Sequence, residues 1–134
     1  MALAGARGGR LTIVNIFEYQ YVVPPTDLQA LKADLFRALA HPVRIRVLEL
    51  LAQKEHTVQE LQEALGLDQP AVSQHLAALR ARLLVTSRKQ GTLAYYTLRS
   101  PLVAELLRVS REFLSHRLAE SQSMLRALRR EKRR

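Results

Sequence analysis

Apolar residues recur every three or four positions along most of this chain, and that spacing is typical of amphipathic α-helices. The pattern divides into successive stretches, each of which predicts one helix. Their apolar positions are Leu28, Leu31, Leu35, Phe36 and Leu39 in the first; Val43, Val47, Leu48, Leu50 and Leu51 in the second; Val58, Leu61 and Leu65 in the third; Val72, Leu76 and Leu79 in the fourth; and Val103, Leu107, Leu114, Leu118, Leu125 and Leu128 in the last.

Residues that cap or break helices mark the ends of these stretches. Thr26 is predicted to cap the first helix, Thr57 the third and Asp68 the fourth, since their side chains can accept from unpaired backbone N–H groups. Pro42 and Pro101 stand where the second and the last helix begin, a position that tolerates proline. We therefore expect helices that end near residues 40, 52 and 82.

Shorter runs have the composition of strands. Residues 83–88 and 92–98 flank a predicted turn at Lys89, Gln90 and Gly91, in which glycine supplies a positive φ. Residues 11–23 carry apolar side chains at alternate positions, which predicts an extended or strand segment, with a short helix as the alternative. Residues 53–56 are predicted to be a short polar loop with His56 in solvent.

The order of these elements is helix, helix, short helix, tight turn, helix, hairpin and long helix. It predicts a mainly α fold with a small β-hairpin, a winged helix-turn-helix, over residues 27–118. Residues 1–26 are expected to be an N-terminal arm or strand extension. Residues 119–134 are expected to hold the end of the C-terminal helix and a basic tail, which either contacts DNA or frays in solvent.

Short polar side chains occupy the outward positions of the fourth helix. Glutamine can pair with adenine, serine with several bases, and alanine can contact a thymine methyl group, whereas the alternative is a merely solvated helix face. Cations at the hairpin tip can contact phosphates, and His75 is expected to brace the helix or meet a phosphate. The predicted DNA-contacting residues are Gln69, Ala71, Ser73, Gln74, His75, Arg80, Arg88, Lys89 and Gln90.

The charge balance supports a polyanionic partner. The chain has 21 Lys and Arg against 12 Asp and Glu, a net charge of +9. RNA recognition would require exposed aromatic residues for stacking, and Tyr95 and Tyr96 are the only neighbouring pair in the hairpin. Double-stranded DNA is therefore the expected partner.

Other functional classes find little support in the sequence. The chain has no cysteine, which excludes disulfides and thiolate metal sites, and it lacks a phosphate-binding glycine loop and a G-x-S-x-G motif. We therefore predict neither an enzyme nor a bound cofactor. No signal peptide or membrane-spanning segment is recognisable, so a cytoplasmic protein without a membrane partner is expected.

Three motifs in order resemble the ArsR-type (arsenic-repressor-like) winged-helix regulators. They are residues 36–51, FRALAHPVRIRVLELL, residues 70–79, PAVSQHLAAL, and residues 91–98, GTLAYYTL. The resemblance spans about residues 27–118. It implies a homodimer formed through the first and last helices, with repression that an inducer relieves.

The same resemblance implies two places where such regulators often bind metals. The first matches residues 58–65, which contain no cysteine, and the second matches Ser100, Leu102, Phe113 and His116, of which only His116 can ligate a metal. Glu112, His116 and Glu120 share one helix face and form a weak, non-standard candidate. A surface helix with mixed charges is the favoured interpretation.

Direct evidence for a dimer comes from the last helix, whose apolar and small residues follow a nearly heptad seam. The seam consists of Val103, Leu107, Ser110, Leu114, Leu118, Ser121, Leu125 and Leu128. The seam supports a homodimer, and the resemblance implies repression, so together they predict a sequence-specific repressor that binds a palindromic operator. Its inducer is an unidentified small molecule, or a metal not held by thiolates. The alternatives are a winged-helix protein-interaction module and a metal-responsive repressor that uses the Glu112, His116 and Glu120 site.

Overall fold

The computed structural model describes residues 12–16, 19–23 and 27–133, with side chains from residue 27 onward. Its elements are β1 (Thr12–Ile16), β2 (Tyr19–Val23), α1 (Leu28–Leu39), α2 (Pro42–Gln53), β3 (His56–Thr57), α3 (Val58–Leu65), α4 (Gln69–Ala81), β4 (Val85–Gln90), β5 (Leu93–Leu98) and α5 (Pro101–Lys132). This order confirms the predicted winged helix-turn-helix. The last helix continues without a break past residue 118.

The core lies where α2, α3, α4 and β4 meet. Its largest fully buried side chains are Leu48, Leu61, Leu76, Leu79, Val47, Val72 and Val85. These are the positions that the helical periodicity marks as inward on α2, α3 and α4, with one residue added from the sheet. Burial of apolar surface on this scale is the main favourable contribution to folding, and it holds α4 in a defined orientation.

The wing is the hairpin formed by β4 and β5, residues Val85–Leu98, in which Val85 pairs with Leu98 and Gln90 pairs with Leu93. This register leaves Gly91 (φ +62°) and residue 92 as the loop. The prediction of a turn that includes Lys89 and Gln90 is therefore wrong, because both residues belong to β4. Polar residues on both faces of a hairpin end give no alternation from which its last pair can be located.

A third strand, β3, was not predicted. His56 and Thr57 pair with Tyr96 and Tyr95 on the free side of β5, so the sheet has the order β3-β5-β4. Lys54 and Glu55 form the expected loop, but His56 belongs to β3. The expectation that His56 is solvated is wrong, since this side chain is 6% exposed and its Nδ1 lies 2.8 Å from the Lys54 carbonyl oxygen. A strand of two residues is too short to show a period-2 pattern.

The segment 11–23 also differs from expectation. Its described residues, 12–16 and 19–23, form two antiparallel strands instead of one extended run, with Thr12 opposite Val23 and Ile16 opposite Tyr19. The short-helix alternative is wrong as well. Alternating apolar residues continue from one strand into the next, so the pattern alone does not show where the chain reverses.

The first helix has a different cap from the predicted one. Asp27 is its N-cap, and Asp27 Oδ1 accepts from the Ala30 backbone N–H at 2.9 Å. Thr26 lies outside the described residues. Asp and Thr are similarly good caps, so adjacent candidates cannot be ranked by residue type alone.

Thr57 and Glu60 form the capping box predicted at the start of α3. Glu60 N donates to Thr57 Oγ1 at 3.2 Å, and Thr57 N donates to Glu60 Oε1 at 3.3 Å. The bond from the Thr57 backbone N–H lowers the pKa of Glu60. The box ties β3 to α3, because Thr57 is both the last residue of the strand and the cap of the helix.

Large apolar surfaces remain exposed on α1 and α5. On α1 these are Leu28, Leu31 and Phe36, each more than half exposed, and on α5 only Val103 is buried.

Within the part of the chain that the structure describes, no helix is both long and apolar enough to cross a membrane.

We expect Thr57→Ala to lower the free energy of unfolding by about 1 kcal/mol, because the hydroxyl that caps α3 is lost. The measurement is urea denaturation followed by circular dichroism. Thr57→Ser keeps the capping oxygen and is the matched control, so it should retain most of the stability. Equal losses in the two variants would show that the methyl group, and not the cap, is responsible.

Candidate DNA-binding surface

The two sides of α4 have opposite environments. Val72, Leu76 and Leu79 are at most 1% exposed and face the core. On the other side Gln69 and Gln74 are exposed. An α-helix has 3.6 residues per turn, so apolar residues at this spacing leave the intervening polar side chains facing away from the core. Gln69, Gln74 and Arg80 are exposed, whereas Ala71, Ser73 and His75 are half-buried.

A tight turn sets the angle between α3 and α4. Gly66 adopts the left-handed conformation with φ +67°, and its N–H donates to the Gln62 carbonyl at 2.8 Å. Asp68 then caps α4 by accepting from the Ala71 N–H at 3.0 Å, with Pro70 in the first helical turn. The predicted signals at Gly66 and Asp68 are confirmed. Gly66 and Asp68 together define the turn between α3 and α4, which leaves the polar face of α4 exposed.

Polar contacts hold α4 near its middle and at its C-terminal end. Near its middle, His75 Nδ1 accepts from Arg44 Nε at 3.4 Å, and the His75 ring lies 4.4 Å from the His41 ring. His41 itself caps α2 through Nδ1, which accepts from the Val43 N–H at 3.1 Å. Of the two roles considered for His75, the bracing contact is therefore present in the structure.

At its C-terminal end, α4 is tied to α1 by an ion pair. Arg82 Nη2 lies 3.4 Å from Asp34 Oδ1, and the two side chains are only 25% and 20% exposed. Arg82 Nε also donates to the same oxygen at 3.4 Å. Sequence reasoning missed this pair, since its members are 48 positions apart and no local pattern connects them.

The wing presents its cations unequally. Lys89 is exposed, whereas the guanidinium of Arg88 is engaged by three neighbours. It forms hydrogen bonds to Glu55 and Gln90 and lies over the ring of Tyr95. The structure thus brings Arg88 and Gln90 together in β4, and it adds Glu55, which no sequence motif indicated.

The weak metal candidate does not form a cluster. Glu112, His116 and Glu120 follow one another along the exposed part of α5, and Glu112 accepts from Arg108 Nη1 at 3.0 Å. Among residues 27–133, for which side chains are described, no three potential ligands converge on one point. Ser100, at another position considered for a metal, caps α5 by accepting from the Leu102 N–H at 3.2 Å.

The predicted basic tail is part of α5. The helix continues through Arg126, Arg129 and Arg130 to Lys132, and these side chains are exposed. The segment is therefore helical up to Lys132. Its contact with DNA stays a prediction.

One face of α4 packs on the core, a turn at Gly66 joins α4 to α3, and a β-hairpin follows α4. This arrangement defines a winged helix-turn-helix protein. Residues 41–87 match the family model described as bacterial regulatory protein, arsR family. The chain belongs to the ArsR family of transcriptional regulators, as the comparisons with whole proteins also show.

Rv0081 of Mycobacterium tuberculosis, an uncharacterized HTH-type transcriptional regulator, is 41% identical over 103 residues, which cover 76% of this chain and 90% of that protein. Its crystal structure aligns with a TM-score of 0.68 at 41% identity, over 71% of this chain and 96% of the other. The HTH-type transcriptional repressor SmtB of the same species is 38% identical over 84 residues, covering 63% of this chain and 62% of that protein.

The solution structure of Mb0332 from Mycobacterium bovis is a homodimeric winged helix-turn-helix DNA-binding domain. It aligns with a TM-score of 0.65 at 32% identity, over 69% of this chain and 86% of the other. These relatives are transcriptional regulators, and the fold and family expected from the sequence are confirmed.

The cluster around His75 leads to a prediction about pH. Burial lowers the pKa of the His75 imidazole, and the charges of His41 and Arg44 lower it further. The ordinary pKa of a histidine in the unfolded chain is about 6.5, so near this pH the unfolded chain binds more protons than the folded protein. Neutral His75 therefore stabilises the fold above about pH 6.5, and this contribution is lost as the pH falls through the lower pKa of the folded state.

We therefore expect the Tm of the wild-type protein to decrease between about pH 7.5 and about pH 5.5, and His75→Asn to show a smaller decrease. Differential scanning calorimetry across this range is the measurement. His116→Asn, at an exposed histidine on α5, is the matched control and should behave as the wild type does. A pH dependence that is unchanged in His75→Asn would contradict the assignment.

Proposed function

We propose that this protein is a repressor that binds a palindromic operator as a homodimer, with α4 of each protomer in the major groove. The observation that carries the proposal is the two-sided environment of α4, in which Val72, Leu76 and Leu79 anchor the helix and leave polar residues outward. A major groove about 12 Å wide admits such a helix. Since a regulator of this kind acts on DNA, we propose that the protein is located in the cytoplasm.

The outward residues of α4 divide by chemistry. Gln69, Ser73 and Gln74 are assigned to base edges, since amide and hydroxyl groups can both donate and accept there. Ala71 is assigned to a thymine methyl group. His75 positions α4 through Arg44 instead of reading a base.

Contacts with phosphates come from cations beside this face. Arg80 near the end of α4 and Lys89 on the wing are exposed, and Arg88 and Gln90 lie beside Lys89 in β4. Such contacts orient the protein on the duplex without reading sequence, and they make the affinity depend on salt. The net charge of +9 supports the same assignment.

The homodimer is supported by the apolar surfaces that the single chain leaves uncovered. A groove of about 900 Å³ runs between α1, α2 and α5, and its apolar lining includes Phe36, Leu107, Leu114 and Leu118. Leu118, Leu125 and Leu128 continue the exposed stripe along α5. A second copy would bury both helices, and the related Mb0332 domain is homodimeric.

Repression follows if the dimer occupies a promoter, and the related SmtB is a repressor. The inducer that releases the operator is proposed to be a small molecule, or a metal bound without thiolates, because the chain contains no cysteine.

We expect the combined change Gln69→Ala, Ser73→Ala and Gln74→Ala to reduce operator affinity at least about tenfold, since one good bidentate base contact contributes about 1–3 kcal/mol. The operator is first obtained by selecting bound sequences from random duplexes. Affinity is then compared by gel shift on the operator and on a scrambled duplex.

The combined change Gln122→Ala and Ser123→Ala, on the exposed part of α5, is the control and should bind as the wild type does. The triple variant should keep its weak affinity for the scrambled duplex. Full operator affinity in the triple variant would refute the assignment of α4 to the bases.

We expect Leu118→Glu to shift the protein from dimer to monomer in sedimentation and to weaken operator binding, because a carboxylate would replace an apolar side chain in the buried seam. Ala119→Glu adds the same charge about 100° further round the helix and should remain dimeric. A dimer of unchanged stability in Leu118→Glu would argue against the α5 interface.

A further inference from the structure

The wing contains an ion pair that the proposed DNA contacts do not require. Arg88 Nη2 donates to both carboxylate oxygens of Glu55, at 2.9 and 3.0 Å. Arg88 Nη1 donates to Gln90 Oε1 at 2.9 Å, and the guanidinium carbon lies 4.7 Å from the centre of the Tyr95 ring. The side chain is held in one orientation, and Glu55 offsets its charge.

The sheet explains why these residues meet. Tyr95 on the middle strand β5 pairs with Thr57 on one side and with Arg88 on the other. Glu55 immediately precedes β3, so Arg88 extends across the Tyr95 ring to reach it. Two strand spacings amount to roughly 10 Å, which a long arginine side chain can cover from the edge strand.

The pair is accessible to a third group. The side chains of Arg88 and Glu55 are 52% and 42% exposed. A phosphate presents oxygens to a guanidinium as a carboxylate does, and both accept charge-assisted hydrogen bonds from it. Exposed ion pairs contribute little stability, so a phosphate can displace the carboxylate.

We propose that Glu55 and a DNA phosphate are alternative partners for Arg88, so that Glu55 lowers the affinity of the wing for DNA. This inference rests on the proposed function. While Glu55 holds Arg88, Nη2 is occupied and the carboxylate repels an approaching phosphate. Glu55 thereby sets how much of the positive charge of the wing is available to the duplex.

The experiment measures operator affinity by fluorescence anisotropy at several salt concentrations. Glu55→Gln removes the charge and keeps the length of the side chain. We expect it to bind DNA about two- to fivefold more tightly per protomer, the range that a released surface ion pair would give. The slope of log K against log salt should steepen by about 0.9 for each phosphate gained.

A double-mutant cycle separates competition for Arg88 from a general effect of charge. In the Arg88→Gln background, Glu55→Gln should no longer increase the affinity. Glu63→Gln, which removes an exposed carboxylate from α3, is the charge-matched control and should give a smaller change. Glu55→Asp keeps the charge but shortens the reach to Arg88, and it should also bind more tightly, which provides a second variant.

Three results would overturn the inference: a Glu55→Gln variant that binds less tightly, one that binds as the wild type does, or a gain of equal size in the Arg88→Gln background. If the wild-type protein selects no sequence from random duplexes, both the proposed function and this inference fail. If the wild type binds its operator and Glu55→Gln gains nothing, only the role of Glu55 is refuted.

Discussion

The arrangement of the helix-turn-helix depends on the packing of the apolar face of α4 onto α2 and α3. Val72, Leu76 and Leu79 are sealed against a core that includes Leu48 and Leu61, and each of these side chains is at most 1% exposed. A helix anchored along one side can leave the other side polar without losing its position. The proposed DNA-binding surface is therefore a consequence of core packing, because the same helix supplies both.

Apolar packing holds α4 in place but leaves its tilt and rotation weakly specified, since the hydrophobic effect has no direction. Directional contacts add this constraint. Arg82 with Asp34 ties the end of α4 to α1, and His75 with Arg44 ties its middle to the start of α2. The two contacts do not involve Gln69, Ser73 or Gln74, so they orient α4 without occupying these side chains.

The wing is positioned by different means. It is anchored by β3, which joins β5 just before the capping box of α3, so the sheet and the helix-turn-helix share Thr57. That connection also brings Glu55 to Arg88, where its carboxylate offsets part of the positive charge of the wing. In contrast, α1 and α5 leave apolar side chains uncovered, which is consistent with the proposed homodimer.

Local sequence patterns predict much of this fold. The periodicity of α2, α3 and α4, the caps at Thr57 and Asp68, the stop at Gly66 and the polar residues of α4 all act over three or four positions, so the sequence alone predicted the helix-turn-helix and its outward face. The three family motifs, read in order, were sufficient to predict the family.

Only the tertiary structure revealed β3, the chain reversal between β1 and β2, the Arg82–Asp34 pair and the contact of Arg88 with Glu55. Each joins residues that are distant in the chain or too few to form a period, and their choice of partner depends on where the folded elements bring them. Local propensity determined the elements, whereas the pairing of strands and charges was decided by proximity in space, which no short-range pattern encodes.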